Sequence, residues 1–239
     1  GNCPLSKPDE LVEVGGVMTV NKTDANTWMI NQASSYTGVT QVDNGTLMIG
    51  VTNALPTATT VRIGTGATAG TLDLNGFNQT IGSLLVQTNS NLVTNNLIVD
   101  SGNTLTVSGA VTMGANTGAG AMTLFAATGG GSFVNNNPGG TFQIGGGTGN
   151  TNTSNTSADF SGLANFTVDL GLTGIFRVGD SNTNTSGSPA SSSTLTLAST
   201  SASITAGTIN LGQGTAQGNA DQALKLGAGT NILNADTIN

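Results

Sequence analysis

The stretches Thr194-Leu-Thr-Leu-Ala198 and Ala206-Gly-Thr-Ile-Asn210 recur further along the chain, as Ala223-Leu-Lys-Leu-Gly227 and Ala235-Asp-Thr-Ile-Asn239. Both are displaced by the same 29 residues. A fixed spacing between similar short segments is typical of architectures in which one supersecondary unit is stacked on the next. The sequence therefore predicts a repeat protein.

Similar units precede this pair of copies. A looser copy consists of Phe166-Thr-Val-Asp-Leu170 followed by Ile175-Phe-Arg-Val-Gly179. Strand patterns also occur nearer the N terminus, in Thr46-Leu-Met-Ile49, Thr60-Val-Arg-Ile63 and Thr71-Leu-Asp-Leu74. Each alternates apolar and polar residues, which is the pattern of a strand with one buried face.

Composition favours an all-β solenoid. Of the 239 residues 36% are hydrophobic and 7% charged, and 36 are Gly. No amphipathic helix is indicated after Glu13. Small aliphatic side chains suit the narrow lumen of a parallel β-helix, where each rung pairs with its neighbours. With roughly 20–25 residues a rung, we expect about ten rungs and a rod about 50 Å long.

The chain divides into two predicted parts. Residues 1–16 contain four charged side chains and form a polar N-terminal arm, which is a cap, an assembly arm or a disordered tail. Residues 17–239 form a single solenoid domain. Loops rich in Gly, Asn, Ser and Thr occur at 129–131, 145–157, 181–193 and 212–221, the last three after apolar strand ends. We expect them all to project at one corner.

Charge excludes some partners. The net charge is −7, with five Lys and Arg residues and no His. Nucleic-acid binding depends on clustered Lys and Arg, so no nucleic-acid partner is expected. The sequence has no apolar stretch of about 18 residues, so no membrane span is predicted.

Residues 28–86 resemble a known repeat. Ser35-Tyr-Thr-Gly38, Val39-Thr-Gln-Val42, Asn44-Gly-Thr-Leu47 and the segment from Thr71 to Leu84 are similar to the autotransporter-associated β-strand repeat of secreted bacterial surface proteins. The resemblance implies a right-handed parallel β-helix located outside the cell or at the bacterial cell surface.

The aromatic residues allow two interpretations. The six phenylalanines of the central region would stack as a ladder in the lumen or under the loops, or line a groove that contacts a glycan. They are Phe125, Phe133, Phe142, Phe160, Phe166 and Phe176.

Acidic residues offer few candidates for chemistry. Side-chain oxygens occur at alternate positions in Asp180, Asn182 and Asn184, as they do in a calcium-binding loop. Calcium is therefore the one cofactor that the sequence suggests. Stacking could bring together Asp159 with Asp169, or Asp73 with Asp100, as a glycosidase carboxylate pair. The alternative is that these aspartates cap turns.

The last repeat has no evident cap. An uncapped rung exposes unpaired N–H and C=O groups that recruit another strand. We therefore expect either a piece of a longer solenoid or a subunit that stacks head to tail into a homopolymer, through Thr237, Ile238 and Asn239. Cys3, the single cysteine, would form an intermolecular bond near that junction or remain a free thiol.

The sequence favours one function over two others. The first is a non-enzymatic extracellular structural protein that forms a surface layer, fibre or adhesin shaft. The second is an adhesin module that binds carbohydrate or a surface through its loops. The third is a polysaccharide lyase or glycosidase, because parallel β-helices include such enzymes.

Overall fold

Short β-strands make up most of the structure. A computed structural model describes residues 3–4, 11–65, 67–87, 93–114, 121–145, 154–179, 192–212 and 221–239. Within these residues there is one 3-10 turn, Gly171–Thr173. In chain order the strands are β1 (Cys3–Pro4), β2 (Val20–Lys22), β3 (Thr27–Ile30), β4 (Thr40–Val42), β5 (Gly45–Ile49), β6 (Thr60–Ile63), β7 (Gly70–Asp73), β8 (Gln79–Ile81), β9 (Ser83–Val86), β10 (Thr94–Ile98), β11 (Thr104–Val107), β12 (Val111–Met113), β13 (Ala121–Thr128), β14 (Ser132–Asn136), β15 (Thr141–Ile144), β16 (Ser154–Asp159), β17 (Asn165–Asp169), β18 (Ile175–Val178), β19 (Ser193–Thr196), β20 (Ser201–Leu211), β21 (Gln222–Lys225) and β22 (Thr230–Ile238).

The strands stack in three ladders, which we name faces A, B and C. Face A has the order β1-β3-β5-β7-β10-β13-β16-β19-β21. Face B contains β8, β11, β14 and β17, and face C contains β2, β4, β6, β9, β12, β15 and β18. Strand β20 belongs to both, because Ser201–Thr205 pairs with β17 and Thr208–Leu211 pairs with β18. Strand β22 pairs with β20 along both faces.

Every pairing between these strands is parallel. Parallel strands need a crossover connection, and here the other two faces of each rung provide it. The predicted all-β parallel β-helix is confirmed. Face A holds nine strands, where about ten rungs were expected.

The repeat spacing is the strand register. Leu195 pairs with Leu224 and Thr208 pairs with Thr237, as the 29-residue displacement predicted. The looser copy was half right. Ile175 of its second segment pairs with Thr208, as the repeat predicts, but Phe166 of its first segment pairs with Ala202 on face B, whereas Thr194 of the later copy lies on face A. Strands on all three faces alternate apolar and polar residues in the same way, so this pattern alone does not identify the face on which a strand lies.

Most of the variation in rung length lies at one corner, where the chain passes from face C to face A. Trp28 pairs with Leu47, 19 residues later, whereas Ala158 pairs with Leu195, 37 residues later. This range is wider than the predicted 20–25 residues, because extra residues in a corner connection do not disturb strand pairing. The Gly-rich segments lie between β15 and β16, β18 and β19, and β20 and β21. The predicted loop corner is confirmed for these three segments, whereas residues 129–131 lie between β13 and β14, at the corner from face A to face B.

Side chains alternate between the lumen and the outside. One inward column on face C runs through consecutive rungs from Val20 to Ile238. Its members are Val20, Thr40, Val61, Leu84, Val111, Phe142, Phe176, Ile209 and Ile238. The column shows how one continuous core extends along the whole stack.

The six central phenylalanines form one cluster of contacting rings in that core. All are at most 2% exposed. The rings of Phe142 and Phe176 stack with centroids 4.9 Å apart, and those of Phe133 and Phe166 stack at 5.5 Å. The lumen interpretation is confirmed and the glycan-groove interpretation is wrong for these rings, since none is accessible to a sugar.

Candidate functional site

The calcium candidate cannot be placed. Asp180, Asn182 and Asn184 lie outside the described residues. Within the described residues, no group of three or more His, Cys, Asp or Glu side chains is arranged to hold a metal ion.

Asp159 and Asp169 lie at the ends of strands on different faces. Asp159 ends a face A strand and Asp169 ends a face B strand. Each carboxylate accepts a hydrogen bond from the backbone N–H two residues later, at 2.8 Å from Ser161 and at 3.0 Å from Gly171. Both aspartates therefore cap turns, which was the alternative interpretation.

Asp73 and Asp100 are brought together at one turn. Asp73 Oδ1 accepts the N–H of Asn75 at 2.8 Å, and Asp100 Oδ2 accepts the N–H of Gly76 at 2.6 Å. Burial raises the pKa of Asp73, the Asn75 N–H lowers it, and the charge of Asp100 raises it. Since both carboxylates hold the backbone of the same turn, they also act as turn caps.

The N-terminal end is held by Glu13. Its Oε2 accepts hydrogen bonds from the N–H of Met18 at 2.9 Å, from the N–H of Thr37 at 2.8 Å and from Thr37 Oγ1 at 2.8 Å. These bonds lower the pKa of Glu13. Leu11 packs against the core, and its carbonyl accepts the N–H of Ser35 at 3.0 Å. Residues 11–18 are thereby attached to the next rung.

Lys22 fixes the first strand of face C, which the sequence did not indicate. The side chain is fully buried. Its Nζ donates to Asp24 Oδ1 at 2.6 Å, to the Asp24 carbonyl and to the Asn44 carbonyl at 2.9 Å, and lies 5.4 Å from the Trp28 ring centroid. Trp28 Nε1 donates to Asp24 Oδ2 at 3.0 Å. A lysine is seldom fully buried unless it is paired, so this cluster holds strand β2 rigidly at the edge of the stack.

The C-terminal end exposes the core. Thr237 and Ile238 lie in β22, and Asn239 follows it. Ile238 is 56% exposed, whereas Ile209, its partner one rung earlier, is fully buried. Leu226 and Leu233 on the same rung are 55% and 37% exposed. Inward side chains that would be covered in mid-stack are here open to solvent.

Exposed large apolar side chains are concentrated at the two ends. Among the described residues, the only exception is Leu172 in the 3-10 turn. The others are Val12, Val14, Val17, Leu226, Ile232, Leu233 and Ile238. Apolar patches of this kind mark interaction sites.

The chain was compared with protein-family models, with curated proteins and with solved structures. None of the three comparisons found a match. Among the described residues no helix is long and apolar enough to cross a membrane. The C-terminal rung is the main candidate functional surface, because Leu226, Leu233 and Ile238 leave its core uncovered. At the N-terminal rung Val12, Val14 and Val17 are exposed, whereas Val20 is only 9% exposed.

Proposed function

We propose that this protein is a non-enzymatic structural β-solenoid that works outside the cell and extends by stacking head to tail. One observation carries the proposal: the inward column of face C continues to Ile238, where it is left 56% exposed. Covering that side chain with another rung would remove apolar surface from water, at about 25 cal/mol per Å². It would also pair the open backbone groups of β22.

Other features support a structural role. The acidic residues considered for catalysis cap turns, and the sequence contains no His. The lumen is filled by stacked phenylalanine rings. The resemblance of residues 28–86 to the autotransporter-associated repeat supports a location at a bacterial cell surface.

Electron microscopy of the purified chain tests the proposal. We expect filaments with an axial repeat of about 40–50 Å, which is nine rungs at the spacing of paired strands. Monomeric rods at all concentrations would contradict it and would favour the adhesin module, with glycan binding as the next measurement.

The variant Ile238→Lys should abolish these filaments. It places an ammonium group where the next rung would cover it, and an unpaired buried charge costs several kcal/mol. Thr208→Lys is the matched control: Thr208 is the outward partner of Thr237 one rung earlier, so the added charge can reach water and does not lie at the joint. Filaments of normal length from Ile238→Lys would refute end-to-end stacking.

A further inference from the structure

We infer that the joint between copies has one register, in which Ile238 of one copy stacks on Val20 of the next and Asn239 stacks on Asn21. The inference rests on the proposed function and adds the polarity and alignment of the contact. The joint is heterologous, because two different surfaces meet and the assembly stays open at both ends.

The inward column of face C specifies this alignment. Every rung from β4 to β20 contributes one residue of the column, and each is the direct partner of the next. Val20 begins the column as the partner of Thr40, and Ile238 ends it as the partner of Ile209. Placing Ile238 on Val20 continues the column with two β-branched aliphatic side chains of similar size.

The adjacent outward column gives a second, independent match. Asn239 Nδ2 donates to Asn210 Oδ1 at 2.9 Å, so side-chain amides already stack between these two rungs. Asn21, the partner of Gln41, is exposed at the other end of the same column. The Oδ1 atom of Asn239 can accept a hydrogen bond from Asn21 Nδ2, as in the amide ladders of stacked identical strands.

Other registers are unfavourable. A slip by one residue turns Ile238 towards solvent, because side chains alternate with a period of two. A slip by two residues in one direction places Ile238 against Lys22, whose ammonium group is bonded to Asp24 and Asn44. That contact would set an apolar side chain on a buried cation.

Face A agrees with the same joint. In the backbone register Cys3 is the partner of Trp28, which is followed in the next rungs by Leu47 and Leu72. On the last rung Lys225 pairs with Thr196, and the inward position that follows it is Leu226. Strand β1 of the next copy would therefore lie on β21, with Cys3 beside the exposed Leu226.

Disulfide trapping tests the register. In a Cys3→Ser background, Val20→Cys and Ile238→Cys are made as two separate proteins, each with one thiol. Paired strands are about 4.8 Å apart, which lies within the usual Cα–Cα range of a disulfide, about 4.4–6.8 Å. On mild oxidation we expect covalent dimers in the mixture of the two proteins and none in either protein alone. Asn21→Cys mixed with Ile238→Cys is the matched control and should give no dimer, because Asn21 points outward.

The outcomes separate the register from the assembly. Dimers formed by either protein alone would show a head-to-head or tail-to-tail contact and overturn the proposal. Filaments in the micrographs without dimers in the Val20→Cys and Ile238→Cys mixture would overturn the register and leave stacking intact. Absence of both filaments and dimers would overturn stacking and the register together.

Discussion

Gly145 shows how tightly neighbouring rungs approach at the loop corner. Its φ is +81°, a left-handed conformation that other residues rarely adopt. A Cβ atom on Gly145 would lie 1.9 Å from Ser193 Oγ on the next rung. Its N–H donates to the carbonyl of Met113 on the previous rung at 2.7 Å. Both the backbone angle and the contact with Ser193 therefore require glycine at this position.

Gly145→Ala should lower the free energy of unfolding by about 2–3 kcal/mol, as strain from positive φ adds to the collision with Ser193. Denaturant titration measures the change. Gly76→Ala is the control, because Gly76 has a φ of +79° but nothing within 4 Å of a Cβ; it should cost only about 1 kcal/mol. Equal losses in the two variants would show that the contact with Ser193 does not matter.

At the scale of the element, the corner from face C to face A tolerates very different lengths. Strands β4 and β5 are joined by two residues, Asp43 and Asn44, whereas β18 and β19 are joined by residues 179–192. The flanking strands keep the same parallel pairing in both places. The ladder, not the connection, sets the position of each rung.

Replacing residues 181–190 with two glycines should therefore preserve the fold. Each halving of a loop changes the closure free energy by about 0.6 kcal/mol, so we expect a shift of a few degrees in Tm with an unchanged circular dichroism spectrum. Deletion of Thr167 alone, within β17, should instead unfold or misalign the rung, because it inverts the alternation of that strand. A large loss of Tm from the loop replacement would mean that this connection contributes to the core.

Local pattern predicted the parallel stack, the 29-residue register and the loop corner, since each depends on alternation and spacing alone. It did not predict the face of Phe166, and it left the phenylalanines with two interpretations, of which the lumen ladder is the confirmed one. A lumen and an outer groove both require every second side chain on one side of a strand. The burial of Lys22 was missed for a different reason: Asp24 is its near neighbour in the chain, but Asn44 reaches it only when two rungs are stacked.

Across the whole molecule, each rung contacts only its neighbours, so stability should vary along the axis. The middle rungs are covered on both sides, and the phenylalanine cluster lies there. The last rung, β21 and β22, is covered on one side only. Opening should begin at that end.

Hydrogen exchange should show this gradient. In the monomer, amides of β22 should exchange on the order of tenfold faster than those of β14 and β15, because less structure must open to expose them. In filaments the difference should vanish, since the next copy covers the rung. The Ile238→Lys variant, kept monomeric, serves as the control and should retain fast exchange. Uniform protection in the monomer would contradict end-first opening.

The positions of the basic residues affect how readily a protease cleaves the protein. Among the described residues, all four lie within strands: Lys22, Arg62, Arg177 and Lys225. A protease that cuts after Lys or Arg needs its target segment extended and detached from the ladder, so cleavage requires a rung to open first. Paired strands lie on both sides of Arg62 and Arg177, and on one side of Lys22 and Lys225. Such a rod would persist in surroundings rich in secreted proteases. Its rate of digestion would report the rate at which rungs open.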